Sequence, residues 1–203
     1  TYYAANSYYQ LKQYDQAIEQ YSALADIQGN PYMEDACMRV AELSYDKQEY
    51  RTALYYFQRM QEVASSSSNR LTAMIGILRC NHHIGDQTAT IQAATQLLEQ
   101  DNLATDIRNE ALYCRAKGHL HDKQYGLAVV DLTPLAKEVR TAWGAEAKYQ
   151  LADCYFHLGA IDMAEHEIMS FTQLQTSHQY WLAKSLILLS DINVERNEIF
   201  QAK

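Results

Sequence analysis

The residues of this chain with the most chemical capacity recur at one spacing instead of converging on one centre. Three histidines, His83, His121 and His157, stand 38 and 36 residues apart. Imidazole is a common metal ligand. If the spacing reflects stacked helix pairs, however, equivalent residues lie about 8–10 Å or more apart, too far to share one ion. The four cysteines, Cys37, Cys80, Cys114 and Cys154, are spread in the same way, and no two have C-x-x-C spacing. Cys80 and Cys154 fall two repeats apart, beyond the Cα separation of under about 7 Å that a disulfide needs. Buried thiols are expected, and they leave the redox compartment open. The sequence has no glycine-rich phosphate loop, no H-E-x-x-H, no G-x-S-x-G and no local Cys-His signature. The acidic pair Glu165 and Glu167 reads as a charged, solvated helix face. These patterns point to no enzyme, no metal and no cofactor.

The spacing itself comes from a repeat. Ala145 to Glu167, AEAKYQLADCYFHLGAIDMAEHE, reads as two amphipathic helices around a turn at Gly159 and Asp162, with Ala152 and Ala164 where the helices touch. The anchor Ala164 recurs as Ala17, Ala53, Thr90, Ala128 and Ala202, at intervals of 36, 37, 38, 36 and 38 residues. A second small position, twelve residues before each anchor, reads Ala5, Ala41, Leu78, Ala116, Ala152 and Ser190. Turn aromatics Tyr14, Tyr50 and Tyr125 precede three anchors, with Ile161 and Ile199 in the same place elsewhere. The third repeat departs most: Leu78, Thr90 and Ala94 predict a looser helix pair. Expected repeats are approximately 1–29, 30–66, 67–102, 103–139, 140–175 and 176–203, the last truncated, forming one solenoid. Asn30 is expected to cap the second repeat with Pro31 at its first helical position. The serine run 65–68 is expected to connect repeats or supply an N-cap. Pro134 is expected well inside the second helix of the fourth repeat, where it would kink or shift that helix.

This grammar resembles the tetratricopeptide repeat, although the period of about 37 exceeds the 34 residues of that family. The resemblance covers essentially the whole chain. It implies an all-α, right-handed superhelical solenoid of antiparallel helix pairs, with first helices lining a concave groove that binds a protein or peptide. Positions fifteen, eleven and eight before each anchor then face the groove. They include Tyr45, Arg79, Tyr113, Lys117, Tyr149 and Phe156, the expected peptide-binding residues. Arg79 and Lys117 occupy equivalent positions flanked by Glu42, Asp153 and Asp191, a local positive step for an acidic residue of the partner, unless those carboxylates neutralise it. The aromatics supply rigid area that anchors interfaces. The carboxylate clamp of some family members needs Lys and Asn. Tyr2 with Asn6 and Met38 with Glu42 stand there, so no chaperone-tail binding of that kind is expected. The Tyr- and Gln-rich repeats are also similar to tetratricopeptide-like proteins of the bacterial cell envelope, which implies an assembly role there. The alternative is a recruiting arm of a larger enzyme or signalling protein.

Composition narrows the classes further. Only 7 Gly and 2 Pro in 203 residues leave helices uninterrupted. No apolar run reaches the 18 or so residues that span a bilayer, and WLAKSLILLSDI reads as a buried first helix. A formal charge of −8 and a pI near 5.3 argue against general affinity for nucleic acid or an anionic membrane. Both ends read as cut from a longer array. Self-association through Trp181 to Leu189 is therefore expected, and any targeting signal would lie outside.

Overall fold

The scarcity of breakers is matched by the backbone. The computed structural model describes residues 1–196, and among these there are eleven α-helices and no strand. They are α1 (Tyr2–Gln10), α2 (Tyr14–Ala25), α3 (Met33–Asp46), α4 (Tyr50–Val63), α5 (Ser67–Ile84), α6 (Gln87–Leu98), α7 (Thr105–His121), α8 (Tyr125–Leu135), α9 (Ala142–His157), α10 (Ile161–Gln173) and α11 (Gln179–Glu195). Successive pairs are the first and second helices of repeats one to five, and α11 is the first helix of repeat six. The second helix expected for repeat six, with Ile199 and Ala202, lies outside the described residues. No described helix is long and apolar enough to cross a membrane.

The chain divides into two compact units, Thr1–Asp101 with α1 to α6, and Asn102 onward with α7 to α11. In each, the two small positions of a repeat are buried where its helices cross: Ala5 with Ala17, Ala41 with Ala53, Ala116 with Ala128, and Ala152 with Ala164. Alanine leaves no side chain to hold the axes apart, so larger neighbours close over the contact. In the first unit these include Tyr21, Phe57 and Met60, and in the second Leu132, Leu151, Ile168 and Ile192. The third repeat keeps its pair buried despite the larger residues, and the Thr90 hydroxyl donates to the Asp86 carbonyl at 2.7 Å. Phe57 lies over Gly76 of α5, where an added Cβ would come within 2.6 Å of the ring.

One backbone device recurs in all five described turns within repeats. The residue five before the anchor has positive φ: Lys12 (57°), Gln48 (63°), Gly85 (82°), Lys123 (56°) and Gly159 (72°). The next N–H reaches back to a carbonyl of the first helix, as Gln13 to Tyr8 at 2.9 Å and Ala160 to Tyr155 at 2.9 Å. That is the bonding of a Schellman helix end.

Three local expectations are corrected and one is met. Asn30 does not cap α3, which begins at Met33 after Tyr32. Its amide instead clasps the preceding turn, accepting from the Tyr32 N–H at 3.0 Å and donating to the Leu24 carbonyl at 3.0 Å. Pro134 does not sit well inside its helix: α8 ends one residue later, so the proline falls in the closing turn. Glu165 and Glu167 do not form a solvated face, since Arg196 binds Glu165 at 2.5 Å and Lys148 binds Glu167 at 2.5 Å. The serine run does supply a cap: the Ser66 hydroxyl accepts from the Asn69 N–H at 3.1 Å and starts α5.

Within each unit, successive repeats are clasped near their turns by one of two contacts. His83 stacks on Tyr50 at 4.5 Å and 6°, and His157 stacks on Tyr125 at 4.5 Å and 22°. Elsewhere an ion pair takes over, Lys47 to Asp15 at 2.7 Å and Arg196 to Asp162. Two of the three recurrent histidines are thus stacking residues. The third, His121, contacts Asp122 at 3.0 Å. All four cysteines are free and buried, and burial pushes the Cys80 and Cys154 thiols up to about 12.

Candidate interaction surface

The expected contact residues all lie on first helices. Tyr45 and Arg79 belong to the first unit, and Tyr113, Lys117, Tyr149 and Phe156 to the second.

In the first unit, Tyr45 is half-buried and meets Tyr50 edge-on at 5.4 Å and His83 at 5.8 Å. It therefore belongs to the joint between repeats two and three. Arg79 is half-buried on α5 and engaged by neighbours. The clearer aromatic step here is Tyr2, whose ring stacks on Tyr32 at 4.2 Å and 11° while its hydroxyl donates to Asp35 at 2.7 Å. That bond, with burial, raises the Tyr2 phenol to about 12. Arg39 lies over Tyr9 at 5.0 Å and pairs with Glu42 at 3.5 Å. Burial nevertheless raises the Glu42 carboxyl above its ordinary value, against the pull of Arg39.

In the second unit, three of the four expected residues lie within two aromatic steps. Tyr113 stacks on Trp143 at 5.4 Å and 13°, and Tyr149 stacks on Trp181 at 5.6 Å and 26°. Glu146 ties the first step together, accepting from the Tyr113 hydroxyl at 3.0 Å, Lys117 Nζ at 3.0 Å and Gln150 Nε2 at 2.8 Å. Burial first, and then Glu146, pushes the Tyr113 phenol up. Lys117 also lies 5.9 Å from the Tyr113 ring centre. The carboxylate that neutralises Lys117 is thus Glu146 of the next repeat, in place of the expected Glu42 or Asp153. Phe156 is half-buried and packs against the core of Ala152, Ala164 and Ile168, with one edge toward His157 at 5.9 Å. Asp153 on the same helix has its carboxyl raised by burial, opposed by His157 and Lys184.

Sequence reasoning missed the partners of these tyrosines. Tyr32, Trp143 and Trp181 occupy one equivalent position, twenty-one residues before the anchors of repeats two, five and six, and each stacks on a tyrosine of the preceding repeat. That recurrence could have been read from the repeat register. Of the segment expected to self-associate, Trp181 is committed to Tyr149 and Leu188 is buried, leaving Leu186 and Ile187 exposed.

The helix pairs, buried small positions and clasped turns define a tetratricopeptide-like helical-repeat protein. Solved structures of that fold agree. A tetratricopeptide repeat protein from Parabacteroides merdae is similar over 98% of this chain and 86% of its own, with a TM-score of 0.55 and 14% identity. Nearly identical TPR-like repeats of a putative kinesin light chain from Podosopora anserina, in two crystal structures, cover 83% of this chain and 90% of their own, with TM-scores of 0.55 and 0.54, each at 15% identity. The chain belongs to the family described as the TT21 fifth ARM repeats domain, whose sequence profile matches residues 34–156. No curated protein sequence matches. The period of about 37 residues lies between the 34 of tetratricopeptide repeats and the roughly 40–47 of armadillo repeats.

Proposed function

We propose that this chain is a non-catalytic scaffold that binds a protein or peptide on the exposed face of its first helices. Repeats of this fold generally mediate protein–protein interaction. The observation that carries the reading here is the series of stacked pairs Tyr2 with Tyr32, Tyr113 with Trp143 and Tyr149 with Trp181. Each pair fixes two large amphipathic rings before a partner arrives, so little side-chain entropy is lost on binding. Tyr45, Arg79, Tyr113, Lys117, Tyr149 and Phe156 are the proposed contact residues, joined by Trp143 and Trp181. An acidic partner residue at Lys117 would compete with Glu146, which already neutralises that cation. The envelope setting is a separate proposal resting on the repeat length above 34 residues and on Tyr and Gln content.

The test is a photo-crosslinking scan with a benzophenone amino acid at Trp143, Tyr149 and, on the exposed side of α8, Val130. The reading expects specific adducts from the first two positions and none from the third. Adducts confined to Val130 would move the binding surface to the second helices.

A further inference from the structure

The ammonium of Lys184 lies inside a partial ring of aromatic side chains. Its Nζ is 5.0 Å from the centre of Tyr149 and 5.7 Å from those of Tyr180 and Trp181. The helix explains how the group assembles. Tyr180 and Trp181 precede Lys184 by four and three residues, so all three share one side of α11, and α9 supplies Tyr149. Trp181 is flat against Tyr149, and Tyr180 meets Trp181 edge-on at 4.9 Å and 75°. The cation therefore has three ring centres within 6 Å, two from near-parallel rings and one from a ring close to perpendicular to Trp181.

Among the described residues Lys184 makes no ion pair, so its charge is met by these rings and by a more distant negative field. Asp153 follows Tyr149 by one turn on α9, and Asp191 follows Lys184 by two turns on α11. After burial, both push the Tyr149 phenol up, while Lys184 pulls it down. Two carboxylates and three rings make the site cation-seeking. Tyr180 is 65% exposed, which leaves it open on that side.

A primary ammonium is strongly hydrated, whereas a guanidinium is planar, more weakly hydrated and stacks on aromatic rings. We propose that Tyr149, Tyr180 and Trp181 form a cation-binding cage that receives an arginine side chain of a basic partner segment, with Lys184 filling the cage until that arginine displaces it. This rests on the reading of the first-helix face as the partner surface, and gives that partner a charge. The net charge of −8 favours a basic segment over an acidic one.

The probe is the tripeptide acetyl-Gly-Arg-Gly-amide, titrated into the full chain while the two indole N–H resonances are followed by NMR. The arginine peptide is expected to shift the Trp181 signal and leave Trp143 in place, and the same peptide with citrulline is expected to shift neither. If Lys184 fills the cage nine-tenths of the time, Lys184→Met tightens the apparent affinity about tenfold, because the competent fraction limits binding. Lys184→Gln is expected to do the same and guards against loss of fold in one variant. Tyr180→Ala, at an exposed position, is expected to abolish the shift with the thermal midpoint little changed. Equal responses to arginine and citrulline overturn the cage. So does unchanged or weaker binding by both Lys184 variants. Tyr113→Ala separates the two readings. A failed cage titration beside partner binding that Tyr113→Ala abolishes sinks the cage alone. A successful cage titration beside partner binding indifferent to Tyr113→Ala sinks the wider surface.

Discussion

The rings of Tyr113 and Trp143, from consecutive first helices, lie face to face with centres 5.4 Å apart and planes inclined by 13°. The stack is exposed on its indole side, with Trp143 at 40%, and anchored on its phenol side by Glu146. A double-mutant cycle between Tyr113→Ala and Trp143→Ala should return a coupling of about 0.5–1.5 kcal/mol, the worth of an aromatic pair beyond its burial. Chemical denaturation of the four variants measures it, and additive effects would show the stack to be incidental.

The turns carry strain that the glycine repeats avoid. Gln48 and Lys123 hold the left-handed conformation that Gly85 and Gly159 hold at equivalent positions. That conformation costs an ordinary residue about 1–2 kcal/mol, and the added freedom of glycine in the unfolded chain returns roughly 0.5–1 kcal/mol of it. Lys123→Gly should therefore stabilise by up to about 1 kcal/mol, and Gly159→Ala should destabilise by about 1 kcal/mol. Denaturant midpoints check both signs.

These turns also show how far the sequence was legible. Gly85 and Gly159 mark their turns because glycine favours positive φ, but Lys12, Gln48 and Lys123 carry no such mark, and only the repeat register with the aromatics Tyr14, Tyr50 and Tyr125 places their turns. The same register locates the helix pairs, the buried alanines and the first-helix position of the proposed contact residues. It did not locate the partners of those residues. Trp143 and Trp181 were visible only as members of their own repeats, while the contact that gives them meaning crosses to the preceding one. Glu146 was likewise invisible as the counter-ion of Lys117, because which carboxylate reaches a cation depends on the stagger between neighbouring helices.

Arg115 grips Asp131 in the fourth repeat through two bonds, Nε to Oδ2 at 2.9 Å and Nη2 to Oδ1 at 2.7 Å, and the Asp131 side chain is 2% exposed. Removing only the arginine strands a buried carboxylate. Arg115→Met should cost about 3–5 kcal/mol, and adding Asp131→Leu should recover most of it, because the apolar pair carries no desolvation penalty. Thermal unfolding of the single and double variants separates this from a loss of packing, which the second change would not repair.

Acid should loosen the joint between repeats two and three. Glu34 accepts from the Ser65 hydroxyl at 2.6 Å, Asn69 Nδ2 at 2.7 Å and the Ser65 N–H at 3.1 Å. The Ser65 hydroxyl leads in holding its carboxyl below the ordinary value. A depressed folded-state pKa stabilises above the unfolded value of about 4.3 and loses that contribution as pH falls through the folded value. Asp153 runs the other way: its raised pKa favours the folded state in acid, and the contribution is lost as pH rises through the folded value. Glu34→Gln should thus flatten the acid limb of stability against pH, and Asp153→Asn should raise stability at neutral pH. Urea midpoints from pH 3 to 7 read both.

The most direct measurement is the affinity of the partner recovered by crosslinking, compared across variants that keep the fold. Tyr113→Ala and Tyr149→Ala remove the inner ring of each aromatic step, and Val130→Ala trims a residue 66% exposed on a second helix. Calorimetric titration should show each tyrosine variant weaker by at least about tenfold, the loss of one interface anchor worth more than about 1 kcal/mol, with Val130→Ala unchanged. Wild-type affinity in both tyrosine variants, with Val130→Ala impaired, would contradict the assignment of the first-helix face as the binding surface.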